Sequence, residues 1–243
     1  MDYILILGAK SDISKAIAKK YAENGYNLYL AARESSELQN FANDIKIRNQ
    51  KDIKCIDFDA LDYKSHQNFY NSIEKKPIGV ISVIGFLGDQ EKAQVDFKET
   101  QKIIDSNYTG LVSILNIVAN DFEIRKNGFI VGISSVAGER GRISNFIYGS
   151  AKAAFTTYLS GLRNRLFISN VNVMTVKPGF VATKMTEGLD LPKKLTAKAE
   201  EVANDIFNAQ QKGKNVIYTK WFWKWIMLII KNIPEFQFKK MNI

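Results

Sequence analysis

The chain has 243 residues, 46% hydrophobic and 24% charged, proportions that suit one folded α/β domain and exclude a disordered or low-complexity protein. Its single cysteine, Cys55, excludes an intrachain disulfide and fits a reducing compartment, and one cysteine with one histidine leaves little to build a transition-metal site from. The formal charge of +9 asks for a negative partner; the lysines are scattered without an aromatic-interleaved basic block, which points to an anionic cofactor, lipid or membrane surface and away from nucleic acid.

The chain opens on an apolar run, Asp2-Tyr-Ile-Leu-Ile-Leu7, that ends at Gly8. With no charged segment before it and no cleavage site after it, the run reads as a strand at 2–7 and not as a signal peptide. The turn Gly8-Ala-Lys-Ser-Asp-Ile-Ser14 leads into a helix at 13–24. Gly8 permits a tight turn, and the backbone of Ser11, Asp12 and Ile13 can hold a pyrophosphate. The later glycines usual in such turns are Asp12 and Ser14 here, and Ser11 or Asp12 serves equally well as a helix cap. Strand 26–31 follows and runs into Ala31-Ala32-Arg33. A carboxylate at that place bonds the ribose diol of NAD, whereas an arginine pairs with a 2′-phosphate, so Arg33, with Lys10 nearby, favours NADPH over NADH.

The pattern continues with helix 35–49, strand 53–57, helix 63–75, strand 78–84, helix 97–123, strand 128–133, helix 148–168, strand 171–176, helix 198–212 and strand 215–218. His66, set between Ser65 and Gln67 in a polar stretch, is expected to be solvated. Apolar strands alternating with helices predict a doubly wound α/β fold: a mostly parallel, seven-stranded sheet with helices on both faces, binding ligands beyond the carboxyl ends of its strands. No repeat or linker divides it, so 1–243 is read as one domain, with a substrate loop at about 183–198 and an apolar tail at about 219–243.

The stretch SSVAGERGRISNFIYGSAK, 134–152, carries the chemistry. Tyr148 and Lys152 stand at i and i+4, on one face of a helix. A free phenol titrates near ~10, and an adjacent cation favours the phenolate and lowers that value. Ser135 can hold a carbonyl oxygen while Tyr148 supplies the proton, an arrangement for ketone reduction. The Tyr-x-x-x-Lys spacing alone means little in a chain so rich in lysine, where chance alone produces it.

Together with Asn107 and Pro178-Gly179-Phe-Val-Ala-Thr183, these residues resemble the short-chain dehydrogenase/reductase family over nearly the whole chain. The resemblance implies an NAD(P)-binding Rossmann domain in which Tyr148 donates the proton to a ketone. Lys152 lowers the tyrosine pKa and bonds the nicotinamide ribose, Ser135 positions the carbonyl, and Asn107 holds a water linking Lys152 to solvent. It further implies that Asp59 and Ala60 flank the adenine and that Gly85 lies beside the cofactor, although Ser82-Val-Ile84 replaces the usual Asn-Asn-Ala. Pro178, Gly179, Val181 and Thr183 would line the nicotinamide, Ser134 would be a packing neighbour, and the assembly would be a dimer or tetramer.

Within the family, Gly8-Ala-Lys-Ser-Asp-Ile13, Phe86-Leu-Gly-Asp-Gln90, the segments 134–142 and 161–166 and the tail resemble one branch. That branch reduces, with NADPH or NADH, a 2-keto pentose carried on polyprenyl phosphate to its arabinose-type epimer, after a flavoprotein oxidase has made the ketone. The resemblance implies a lipid-linked sugar substrate, a flavoprotein oxidase partner, a part in cell-envelope polysaccharide synthesis, and a cytoplasmic place at the inner face of the membrane. The tail gives a separate hint. Residues 221–230, WFWKWIMLII, are half the ~20 needed to span a bilayer, and tryptophan and lysine beside aliphatic residues suit its interface, so 221–231 is expected to make a peripheral membrane contact. In the alternative reading the substrate is a soluble ketone or acyl thioester and the tail is a pocket lid or subunit interface. Arg140 and Arg142 are open to a lipid phosphate or to solvent, whereas Arg163 and Arg165 are read as structural or as a dimer contact.

Overall fold

The first strand shows why the apolar runs are unbroken. In β1 (Tyr3–Leu7), Ile4 and Ile6 join the core on one side of the sheet, while Tyr3, Leu5 and Leu7 join the core on the other, so both faces need apolar side chains. The computed structural model describes residues 2–188 and 190–241; position 189 of the expected substrate loop and the last two residues of the expected tail lie outside the described residues.

After β1 come α1 (Asp12–Glu23), β2 (Asn27–Ala32), α2 (Gln39–Asn49), β3 (Ile53–Asp57), α3 (His66–Ser72), β4 (Gly79–Ser82), α4 (Gln90–Val95), α5 (Phe97–Ile104) and α6 (Gly110–Arg125). The second half holds β5 (Gly128–Ile133), α7 (Phe146–Leu166), β6 (Val171–Pro178), α8 (Ala199–Gln211), β7 (Val216–Thr219), α9 (Trp223–Asn232) and α10 (Glu235–Phe238). The sheet order is β3-β2-β1-β4-β5-β6-β7 and every pairing is parallel, so the expected doubly wound fold is present with no antiparallel strand in its sheet. The order reverses between β1 and β4, and the crevice at their carboxyl ends is where such a sheet takes a ligand.

Four local departures from the predicted elements have physical causes. The helix expected over 97–123 is α5, a wide π-type turn over Asp105–Thr109, and α6. There the Asn107 side-chain amide donates to the Ile103 carbonyl at 2.8 Å, and a side chain inserted into the ladder widens the turn. The helix expected from 35 begins as a 3-10 turn at Ser35–Leu38 before α2. The short α4 was not predicted, because six residues are too few to show a period; it is held by Asp89, whose carboxylate accepts from the Lys92 amide at 3.0 Å. Finally, β6 runs on to Pro178 because Lys177 and Pro178 pair with Tyr218 and Thr219 of β7.

His66 is not solvated. Its ring is fully buried, stacked on Phe58, with Nδ1 2.8 Å from the Ser113 hydroxyl and Nε2 3.0 Å from the Asp59 carbonyl. Because a carbonyl only accepts, Nε2 donates in that contact. It pins the loop after β3 to α6.

Candidate active site

The first turn is built without the later glycines. Gly8 takes φ +84°, and Ser14 fits as a fully buried residue whose hydroxyl donates to the Gly8 carbonyl at 2.8 Å. Ser11 caps α1 by accepting from the Ser14 amide at 3.1 Å. Asp12, expected to touch the cofactor, turns its carboxylate instead to the Lys184 amide at 2.9 Å, so it offers a phosphate only its backbone. It ties the first turn to the segment after β6. Ile13 is partly buried against the core below.

A cleft of about 1300 Å³ opens from this turn across the carboxyl ends of β1, β2, β3 and β4. Gly8, Ser11, Arg33, Asp59, Ala60 and Gly85 all line it, so the structure brings six of the fourteen expected dinucleotide residues to one surface. Arg33 is exposed and pairs with no carboxylate among the described residues. Lys10 is committed: its ammonium lies 3.1 Å from Glu34 and 2.8 Å from Glu37, which leaves Arg33 as the cation at the end of β2. The Asp59 carboxylate accepts from the Leu61 amide at 3.0 Å, and its carbonyl is the one held by His66. Sequence reasoning missed this brace, although positions 66, 69, 70 and 73 already mark one buried side of α3.

The cleft leads to Gly85, where a built Cβ would lie 3.4 Å from both Asn107 Oδ1 and Lys152 Nζ. A side chain there would fill the space beside the lysine, and its absence leaves room for a ligand. The residues therefore fit a nicotinamide dinucleotide. Asn107 is fully buried; its amide accepts from the Phe86 N–H at 3.2 Å and donates to the Phe86 carbonyl at 2.6 Å, which fixes the 85–86 backbone.

Ser135 ends the extension of β5 and Tyr148 stands on the first turn of α7, and two glycines bring these parts together. A Cβ on Gly138 would lie 2.7 Å from the Ala153 nitrogen, and one on Gly149 would lie 2.8 Å from the Ala137 carbonyl oxygen. Helix and serine loop thus touch backbone to backbone, which sets the Ser135 hydroxyl, itself accepting from the Ala137 N–H at 3.1 Å, on the side of the Tyr148 phenol. Ser134 proves more than a packing residue: its hydroxyl is bonded to the Lys152 carbonyl at 3.0 Å and to Thr156 at 2.6 Å, locking α7 to β5.

Tyr148 and Lys152 share a face as expected, with the ammonium 5.7 Å from the ring centroid. Their electrostatics differ from the expectation that the lysine makes the phenol acidic. Burial pushes the phenol up to about 12, with the Ser135 hydrogen bond pulling the other way. Burial also pushes the Lys152 amine down to about 7. The reason is that Lys152 is held by the carbonyls of Ile133 at 3.1 Å and Ile84 at 3.4 Å, with no anion among the described residues to stabilise its charge.

Beyond α7, the tail packs on the segment that follows β6. Pro178 and Val181 are buried, and Gly179 carries the indole of Trp223, which would lie 2.0 Å from a Cβ at that position. The same indole donates to the Leu195 carbonyl at 3.2 Å, and Phe180, Leu195 and Met227 complete an apolar cluster around it. The Thr183 N–H donates to the Thr186 hydroxyl at 3.2 Å, closing a short turn beside Lys184. The arginines of the serine loop are largely spent on the tail. Arg140 donates to the carbonyls of Ile230 at 2.6 Å and Ile233 at 2.7 Å, pairs with Glu235 at 2.8 Å and lies over Phe238, so it is neither solvated nor free for a phosphate. Glu139, nearly buried, holds Lys177 at 2.6 Å, Lys231 at 3.6 Å and the Tyr218 hydroxyl. Arg142 rests on Met227 Sδ at 3.1 Å and keeps a buried Nε with no partner among the described residues. Arg163 ties α7 to β6 through Val173 and Thr175, and Arg165, on the exposed side of α7, pairs with Glu123.

A family model described as short chain dehydrogenase matches residues 2–194. An uncharacterized oxidoreductase of Mycobacterium tuberculosis is 32% identical over 241 residues, covering 98% of this chain and 96% of its own. An uncharacterized oxidoreductase of Streptomyces coelicolor is 29% identical over 245 residues, covering 99% of this chain and 96% of its own. Among solved structures, a short-chain dehydrogenase from Sphingobium yanoikuyae in complex with NADPH superposes with a TM-score of 0.82 at 21% identity over 97% of each chain, a likeness of fold.

Proposed function

The chain belongs to the short-chain dehydrogenase family, and on that footing we propose that it is an NADPH-dependent reductase of a keto sugar carried on polyprenyl phosphate. That it is an oxidoreductase of the nicotinamide-dependent kind follows from the family itself. A bound dinucleotide supplies the hydride. The chain does the rest: Ser135 holds the carbonyl oxygen, Tyr148 passes its phenolic proton to that oxygen, and Lys152, when charged, steadies the phenolate left behind. Asn107 keeps the 85–86 backbone beside the lysine and, in this reading, holds the water that returns the proton.

Arg33 favours NADPH, because it is the unpaired cation where a 2′-phosphate would sit. Its replacement by alanine should raise the Kd for NADPH roughly tenfold to a hundredfold, as expected for a lost charged hydrogen bond, with NADH binding unchanged. Equal losses for both cofactors, measured by fluorescence titration, would remove the preference.

One observation carries the substrate reading: Trp223 seated on Gly179, with Phe180, Leu195 and Met227 around it, fastens the apolar tail to the segment expected to line the nicotinamide. An apolar tail fastened there suits a lipid-bearing ketone. Arg142, with its unpartnered Nε on the same loop as Ser135, is the cation assigned to the phosphate. The test is NADPH oxidation by the purified protein with a 2-keto polyprenylphosphoryl pentose against soluble ketones and acyl thioesters. Preference for the lipid-linked sugar, with a KM raised at least tenfold in Arg142→Gln, supports the proposal. Turnover confined to soluble ketones or thioesters replaces it with the simpler reading of the tail as a pocket lid.

A further inference from the structure

The helix α9 is apolar on two sides. Its inner stripe, Trp223, Ile226, Met227 and Ile230, packs on the serine loop and the segment after β6. The outer stripe, Trp225, Leu228 and Ile229, at i, i+3 and i+4, is joined by Trp221 from the turn just before the helix and is covered by nothing among the described residues, with exposures of 54%, 51%, 68% and 73%. A contiguous stripe of that kind marks an interaction surface.

Charge says what fits it. From position 206 to 241 the chain has one carboxylate, Glu235, already paired with Arg140, against lysines 212, 214, 220, 224, 231, 239 and 240. Lys224 flanks the outer stripe, its ammonium 5.8 Å from the Trp225 ring centroid. Glu139 answers Lys231 and Glu201 lies 4.0 Å from Lys220, but a two-fold contact between copies would set the remaining lysines of the tail against themselves, with Glu235 already spent on Arg140. An anionic bilayer answers both features, taking tryptophan and aliphatic side chains into its interface and lysines at its headgroups. At ten residues α9 is about 15 Å long, too short to cross, and no described helix is long and apolar enough to do so. We propose that α9 lies flat in the interface of an anionic membrane through Trp221, Trp225, Leu228 and Ile229. The inner side of the same helix is fastened to the site by Trp223 on Gly179 and by Lys231 and Arg140, so docking sets the candidate active site at the lipid surface.

The docking surface is independent of the substrate, because a reductase of soluble ketones would bind the membrane through it equally. The test is sedimentation of the full chain with vesicles of phosphatidylglycerol and phosphatidylcholine, against phosphatidylcholine alone. Binding to the mixed vesicles at least tenfold tighter, weakened by salt and cut at least tenfold in Trp225→Glu/Leu228→Glu, supports the proposal, provided that variant still binds NADPH. In the unaltered protein, bromine-labelled lipid should quench tryptophan fluorescence, a readout that requires no variant. Absence of vesicle binding, equal binding by the variant, or a halving of the variant's mass in light scattering overturns it, the last by assigning the stripe to a second copy.

Discussion

Tyr148→Phe should leave a protein that folds and binds NADPH within about threefold of the original but turns over roughly 10²–10⁴-fold more slowly, the usual contribution of one positioned acid. The substitution removes one oxygen from a partly buried ring and leaves Lys152, Ser135 and the close backbone contacts at Gly138 and Gly149 in place. The loss should fall on kcat, because the phenol acts on the carbonyl only as the proton moves. A phenol pushed up to about 12 is fully protonated at neutral pH, which suits an acid that gives its proton to a developing alkoxide and not to water. Stopped-flow turnover and cofactor titration on the same sample separate the two effects. Residual activity within tenfold of the original would assign the proton to another donor.

The residues that were legible before folding are those whose partners lie close by in sequence or along one helix. Tyr148 and Lys152 needed only the helical period, and Ser135 only the end of a strand. The sheet followed from runs such as Tyr3–Leu7, apolar at every position because both faces are covered. Long-range uses were hidden. Asp12 was visible as a departure from glycine, but not its bond to Lys184, 172 positions away. Arg140 looked like a loop cation, and only the folded tail reveals that it caps the carbonyls of Ile230 and Ile233. His66 was masked by polar neighbours, although Phe69, Tyr70 and Ile73 repeat at its spacing. Burial of the catalytic pair was hidden too, and burial reverses the sign of the shift that proximity alone suggested for Tyr148.

That reversal makes Lys152 the strongest test of the site. Burial lowers its amine to about 7 from an ordinary value of 10.5, so between those values the unfolded chain carries a proton that the folded chain does not. The unfolded state binds more protons, so the stability of the cofactor-free protein should rise with pH across about 7 to 10, by about 1.4 kcal/mol per unit from this group. Lys152→Met keeps the length of the side chain and removes the buried amine. Urea unfolding should then show the variant more stable than the original at pH 7 by roughly 2–4 kcal/mol, with that slope gone; Cys55 and the other groups titrate alike in both and cancel in the difference. Turnover should nevertheless fall by roughly 10²–10⁴-fold, because no cation is left beside the phenolate. Saturating NADPH should flatten the slope of the original protein, since an anionic ligand favours the charged amine. Parallel stability curves for original and variant would mean that the amine stays charged when buried, and that the expected lowering of the phenol by its neighbour applies without the cofactor.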